Sequence, residues 1–387
     1  MSCQKPAVWI PFLLGASTAV AGVPSIYWTN QGARKVSRAD LDGTNIERIA
    51  HNSFDPSRDI GFAIASTIGN VYWIGAHGIY RAELDGANRE ILVETIGIVG
   101  TFVVDLAVLP DTGKLVWAEE IDGTRSLHSA GLDGAGAVTI GPLGDDSHAL
   151  TPDDQAGAVY WAEADTIRRY VFNSGLFETL IDLDGPDVGS FTFDATANVM
   201  CWIAAQELWC GDLTGGLPQR LASELHWWTS NPALDAAGGY VYWGVPTERT
   251  IHRAAIDGSS ASVIVDDSGL SWPREIHLDI AENKILWAGT TTIMRANLDG
   301  SQVETVATID TTFDYSPEIL RFSVETLAGK VYWYVADTDC TSRGGLTSIE
   351  RVNSDGTDRK VVVQTQVSRP SAISPASCCI LGPVPAM

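Results

Sequence analysis

What the chain has little of narrows its identity first. Lys and Arg together number 25 against 48 Asp and Glu, a formal net charge of −23. A surface this acidic repels phosphate backbones and anionic lipid, so neither nucleic acid nor a membrane surface is an expected partner. Beyond the N-terminal region no apolar run reaches the ~18 residues that a membrane-spanning helix needs. Catalytic and metal signatures are missing too. The seven histidines show neither His-x-x-x-His nor His-Glu-x-x-His spacing, and there is no Gly-x-Ser-x-Gly elbow or phosphate-cradling glycine loop. The stretch Asp182-Leu183-Asp184-Gly185-Pro186-Asp187 begins like a calcium loop but lacks the terminal Glu, and reads as a solvated turn. No metal or cofactor is expected.

What is present points to a large packed core. The 387 residues are 45% hydrophobic and include 13 Trp, while the 37 Gly follow no Gly-X-Y period; disorder and collagen are both excluded. The N-terminus combines Lys5, an apolar segment from Ala7 to Ala21 and small residues at Ala19 and Ala21. That layout reads as a secretory signal peptide over residues 1–21, cut before Gly22. The alternative is a buried first strand left in place, favoured by Pro11 inside the segment. No Asn-x-Ser/Thr sequon adds support for secretion.

Repeats organise the remainder, a single domain over 22–387. An apolar-Trp dipeptide recurs at Tyr27-Trp28, Tyr72-Trp73, Val116-Trp117, Tyr160-Trp161, Cys201-Trp202, Tyr242-Trp243, Leu286-Trp287 and Tyr332-Trp333, at intervals of 41 to 46 residues. A second signal follows each: VSRADLDG from Val36, IYRAELDG from Ile79, LHSAGLDG from Leu127, IHRAAIDG from Ile251 and IMRANLDG from Ile293. It decays to Asn173-Ser174-Gly175 and Leu213-Thr214-Gly215, and returns late as Ser354-Asp355-Gly356. Period-two alternation before and after these signals gives four short strands per unit. Asp-Gly suits a type I′ hairpin turn, because Gly tolerates positive φ. Four strands repeated radially predict an all-β propeller of eight four-stranded blades. The segment Arg369 to Pro375 resembles an inner strand, so the C-terminus is expected to close the ring by supplying the innermost strand of blade one. The eight repeated Trp are expected to wedge adjacent sheets apart, each contributing about 2 kcal/mol by burial.

Cysteines carry one further expectation. In CWIAAQELWC a two-residue turn at Ala205-Gln206 would set Cys201 opposite Cys210, either as a cross-strand disulfide or as two buried thiols. Cys340 could pair with Cys378 or Cys379, and the odd number left after leader removal leaves one thiol over.

These residues resemble the YWTD repeat of the low-density-lipoprotein-receptor class B type, whose consensus joins Tyr-Trp-Thr-Asp to Ile-x-Arg-Ala-x-Leu-Asp-Gly. The resemblance spans most of 26–375 and implies a propeller. Two features depart from it: eight units against the six blades of the receptor propellers, and a fourth motif position holding Asn30, Gly75, Glu119, Glu163, Ala204, Val245, Gly289 and Val335. The size, acidity and signal-like start also resemble fungal propeller proteins that act as hetero-Diels–Alderases, joining a tropolone-derived quinone methide to a humulene-type sesquiterpene. That second resemblance implies a cofactor-free small-molecule cyclase of secondary metabolism.

Chemistry is expected at the channel mouth, where the interblade links and the turns between second and third strands converge. Three links add aromatics outside the repeat: Trp227 and Trp228, Trp272, and Phe313 with Tyr315. A cation or imidazole recurs there at Arg58, His148, His226, Arg274 and Arg369. In the cyclase reading Arg274, Tyr315 and His226 donate to a substrate carbonyl while Trp228, Trp272, Phe313, His148, Arg58 and Arg369 line the pocket for a hydrophobic small molecule. The bland reading has the aromatics plugging the channel and the Arg residues paired with carboxylates. The functional alternative is a non-catalytic, secreted ligand- or protein-binding ring.

Overall fold

The computed structural model describes residues 12–15, 25–30, 35–51, 62–75, 77–94, 101–216, 218–226, 229–266, 272–309, 317–325, 329–337 and 346–366. They form eight four-stranded antiparallel sheets, each with its strands in sequence order. Blade one spans 12–51, blade two 62–94, blade three 101–143, blade four 148–182, blade five 188–222, blade six 233–266, blade seven 275–308 and blade eight 317–366. The first strand of each sheet touches the neighbouring sheets and lies innermost. Eight apolar clusters sit one at each seam, including the one joining blade eight to blade one through Tyr332, Ile349 and Val362 against Ile26, Trp28 and Ala39. The eight-bladed ring is closed, as the repeat spacing requires.

Why the repeat begins with Tyr-Trp follows from strand geometry. Successive side chains leave a strand on opposite faces, so the two rings serve two different seams. Trp73 packs with Tyr27 and Val36 of the preceding blade, while Tyr72 packs with Leu106 and Val108 of the following one. Trp73, Trp161, Trp202, Trp287 and Trp333 are all at most 1% exposed. The wedge role expected of the repeated Trp is what the structure shows.

Two expectations need correction. The inner strand of blade one is Phe12–Gly15, paired antiparallel with Ser25–Asn30, rather than the C-terminal segment. Residues 369–375 lie outside the described residues. The physical reason is local: a strand about ten residues upstream of its partner loses far less loop-closure entropy than one arriving from the far end of the chain. These residues fall within the segment read as a leader, so a cut before Gly22 would take this strand with it.

The Asp-Gly turns are also not type I′. Gly43 N donates to Asp40 O and Asp40 N to Thr44 O, both at 2.9 Å, with Gly43 at φ +87° and Asp42 outside the positive-φ region. That is a three-residue loop, a type I turn closed by a left-handed Gly. The Asp instead caps the loop: Asp42 Oδ1 accepts from Thr44 N at 2.8 Å, and Asp299 Oδ1 from Ser301 N at 2.9 Å. The Gly is needed for space as well as for φ, since a Cβ on Gly300 would strike the Ile264 carbonyl oxygen of the preceding blade. By contrast, the turn expected at Ala205-Gln206 has φ +50° and +61°, as a two-residue type I′ turn requires. It sets Cys201 opposite Cys210, and the two form a disulfide.

Candidate functional site

The connectivity divides the ring into two faces. Turns between first and second strands, and the Leu-Asp-Gly turns between third and fourth, lie on one. Turns between second and third strands, with the interblade links, lie on the other and surround the channel mouth.

At the mouth, blades seven and eight bring together a small charged and aromatic group. Trp272 is 42% exposed, an unusual state for an indole in this chain. The Arg274 guanidinium lies over its ring at 5.8 Å from the centroid, and Arg274 Nη1 meets Glu318 Oε2 at 3.2 Å. Arg274 N donates to Ala288 O, fixing the link to the second strand of blade seven. Glu275 Oε2 accepts from Phe322 N at 3.2 Å, and the His277 ring meets Phe322 edge-on at 4.6 Å. These contacts tie the inner strands of blades seven and eight together beneath the exposed indole. A cation over an aromatic face is worth about 0.5–1 kcal/mol at an exposed site.

The other proposed site residues are dispersed. His148 is exposed on blade four, with Nδ1 2.9 Å from Asp146 O. Beside it Asp105 accepts from Leu106 N and Leu150 N, both at 2.8 Å, joining the inner strands of blades three and four. Burial pushes the Asp105 carboxyl up, against the pull of those two bonds and of His148. His226 is exposed on the link into blade six, and its carbonyl accepts from Thr229 N and Oγ1. Arg58, Trp228, Phe313, Tyr315 and Arg369, together with Trp227, lie outside the described residues. Of the proposed set, the structure therefore brings together Trp272 and Arg274, and Arg274 is paired with a carboxylate as the bland reading expected.

Three features escaped sequence reasoning. Glu119 and Glu163 keep an acid at the motif's fourth position, and each sits by the residue opposite the blade's Trp, His128 and Arg168 respectively. Glu163 Oε2 accepts from Trp161 Nε1 at 3.0 Å, and Arg168 Nη1 is 3.3 Å from Glu163 Oε1. In blade three, His128 stacks on Trp117 at 5.4 Å and places Nε2 3.3 Å from Glu119 Oε2. Burial lowers the His128 pKa, and burial raises that of Glu119 against the pull of a Trp117 hydrogen bond. In addition, a cleft of about 250 Å³ opens on the opposite, turn-bearing face between blades four and five, walled by Asp153, Tyr160, Arg169 and Asn198. No group of three or more metal-ligating side chains occurs among the described residues.

The third feature explains the repeat. Tyr27 Oη donates to Leu84 O at 2.7 Å and Arg38 Nη1 to the same oxygen at 3.2 Å. Tyr72 Oη and Arg81 Nη1 converge likewise on Leu132 O, at 3.4 and 2.8 Å. Arg169 reaches Leu213 O, Arg253 reaches Leu298 O, Arg295 reaches Ser354 O, and Tyr332 closes the ring on Leu41 O. In blades one and two the Tyr of one signal and the Arg of the other, paired across strands, thus clamp one carbonyl of the next blade's Leu-Asp-Gly turn, and in blades four, six, seven and eight one of the two donors reaches the equivalent carbonyl. Burial raises the phenol pKa values of Tyr27, Tyr72, Tyr160 and Tyr242, keeping each a hydrogen-bond donor.

The ring is an eight-bladed β-propeller, and its paired Tyr-Trp and Arg-Ala-x-Leu-Asp-Gly signals, clamped in this way, are YWTD-like repeats. Comparison with known proteins agrees with that class. Protein cueball of Drosophila erecta is 30% identical over 144 residues, 36% of this chain and 21% of that protein. The low-density lipoprotein receptor-related protein 5-like protein of Homo sapiens is 27% identical over 216 residues, 54% of this chain and 79% of that one. The chain thus matches about a fifth of cueball's length. Among solved structures, a prolyl endopeptidase superposes with a TM-score of 0.54 at 10% identity, covering 78% of this chain and 49% of that one, which speaks to fold alone. No family model matches the chain.

Proposed function

We propose that this chain is a non-catalytic recognition propeller of the secretory pathway, binding a protein or peptide across its channel mouth. The observation that carries the reading is Trp272: a large indole left open on the mouth, buttressed by Arg274 and Glu318 from two blades. Tryptophan and arginine are the residues that most often anchor protein interfaces, and an exposed ring on a rigid scaffold loses little entropy on docking. Across the mouth from it, the turns and links of blades three to five carry Asp122, Asp145, Asp146, Asp165, Asp184 and Asp187, so a basic partner segment spanning the mouth fits better than an acidic one. The partial likeness to cueball and to the receptor-related protein supports a recognition role, and the Cys201–Cys210 disulfide fits an oxidising compartment.

The cyclase reading gains no support from the described residues. Its donor Arg274 is engaged by Glu318, and Tyr315, Phe313 and Trp228 lie outside them. The test is binding of arrayed basic and neutral peptides to the intact protein and to Trp272→Ala. Basic peptides should bind more tightly at low salt, and the variant should weaken them by about thirtyfold, the ~2 kcal/mol of a hot-spot residue. Equal binding by wild type and variant overturns the reading. So does cycloadduct formation above background from a quinone methide and a humulene-type alkene.

A further inference from the structure

The cross-strand position that forms the interblade clamp holds a Tyr-Arg pair in five blades and departs from it in three: Val116 with Ser129 in blade three, Cys201 with Cys210 in blade five, and Leu286 with Arg295, which keeps the Arg donor, in blade seven. Second and third strands pair Tyr27 with Arg38, Tyr72 with Arg81, Tyr160 with Arg169, Tyr242 with Arg253 and Tyr332 with Arg351. In blade five the same register pairs Cys201 with Cys210, joined as a disulfide with Cα atoms 4.0 Å apart. A disulfide has no N–H or O–H to donate. Blade five therefore cannot offer the Ile256 carbonyl of blade six the bonds that Leu84 receives from Tyr27 and Arg38.

One other seam is built without the clamp, and it carries a visible substitute. Blade three pairs Val116 with Ser129, but Asp154 of blade four accepts from Asp111 N at 2.7 Å, Thr112 N at 2.9 Å and Thr112 Oγ1 at 3.0 Å. Between blades five and six the joint is an apolar cluster in which Leu208, Leu221 and Leu225 face Val241 and Trp243, with both cysteines inside it. Cys201 is 0% and Cys210 1% exposed. On the blade-five side of that cluster the backbone ladder between the second and third strands is cross-linked covalently at its centre.

We propose that the Cys201–Cys210 disulfide makes the seam between blades five and six a redox-conditional joint. Oxidised, the bond takes over from the missing polar clamp by holding the blade-five strands at the spacing on which Val241 and Trp243 pack. Reduced, this seam is where the ring opens first. The reductant is a dithiol. One thiolate attacks a protein sulfur, forming a mixed disulfide and releasing the other cysteine as thiolate. The second dithiol sulfur then displaces the remaining cysteine as the dithiol closes to its own disulfide, so two electrons and two protons pass to the protein. Because both sulfurs are buried, reduction proceeds only through prior opening of this seam.

Hydrogen exchange read by mass spectrometry on the intact protein tests the proposal, with and without dithiothreitol and with thiol content measured in parallel. Reduction should speed exchange on the order of a hundredfold in segments 199–211 and 240–256, the effect expected of removing a ten-residue cross-link, and leave the other seams unchanged. Restoring the repeat with C201Y/C210R should abolish the response to reductant while keeping the seam protected. Should that variant fail to fold, C201A/C210A replaces it, and should show the opened seam without reductant. Unchanged exchange after confirmed reduction, a uniform rise around the ring, or free thiols at both positions in the untreated protein overturns it.

Discussion

Replacing both donors of one clamp should cost more than the sum of replacing each. In blade one, Tyr27 Oη and Arg38 Nη1 share a single acceptor, the Leu84 carbonyl oxygen. Tyr27→Phe removes one neutral hydrogen bond, about 1 kcal/mol, and leaves the oxygen satisfied by Arg38. Arg38→Met removes the other and also the ion pair with Glu47 at 3.0 Å. Glu47 is half exposed, so that pair adds at most about 1 kcal/mol. Together the two changes strand a partly buried carbonyl, whose unmet desolvation adds about 1–3 kcal/mol beyond the sum. With an unfolding entropy near 2 cal/mol/K per residue, a chain of this length loses about 1.3 °C of Tm per kcal/mol if it melts as one unit. The double variant should therefore fall by about 4–8 °C, with a coupling energy of at least 1 kcal/mol in a double-mutant cycle run by denaturant unfolding. Effects that add to within about 0.3 kcal/mol would refute a shared acceptor, and with it the account of why Tyr and Arg recur in register.

Three further expectations follow from the same geometry. Gly300→Ala combines a left-handed backbone with a collision against the Ile264 carbonyl, and should destabilise by about 2–4 kcal/mol in denaturant titration, whereas Gly113→Ala, with open space around it, should cost only the backbone term. The phenols of Tyr27, Tyr72, Tyr160 and Tyr242 have raised pKa values through burial, so the unfolded chain loses these protons first; stability present below pH ~10 should fall as pH rises from there through the folded values, read by melting temperature against pH, and a flat alkaline limb would contradict it. Deleting residues 1–21 removes the strand Phe12–Gly15 and exposes the edge of Ser25–Asn30, so the truncated protein should melt several degrees lower by scanning fluorimetry; an unchanged Tm would show that another segment fills the place.

How much was legible beforehand depends on whether a property is local or shared between blades. The interval between tryptophans, the alternation on either side and the turn residues are properties of one unit, and they were enough to set eight four-stranded sheets in a closed ring. The pairing of Cys201 with Cys210 was equally local, since a two-residue turn fixes its own register. The clamp was not legible, because Arg38 and Tyr27 are meaningful only against an oxygen 46 or more residues away in another sheet. Asp-Gly by itself is compatible with two loop lengths, and the close approach of the neighbouring blade at Gly300 favours the longer one.

Sequence alone thus determined how many sheets there are, the four-strand order within the repeat and that its tryptophans are buried, since period-two alternation and turn chemistry act over a few residues. Tertiary structure decided which segment completes the first sheet, which carbonyl each Tyr and Arg serves, and that Arg274 faces Glu318 across two blades instead of standing free. Those outcomes depend on distances between residues remote along the chain, and no repeat pattern encodes them.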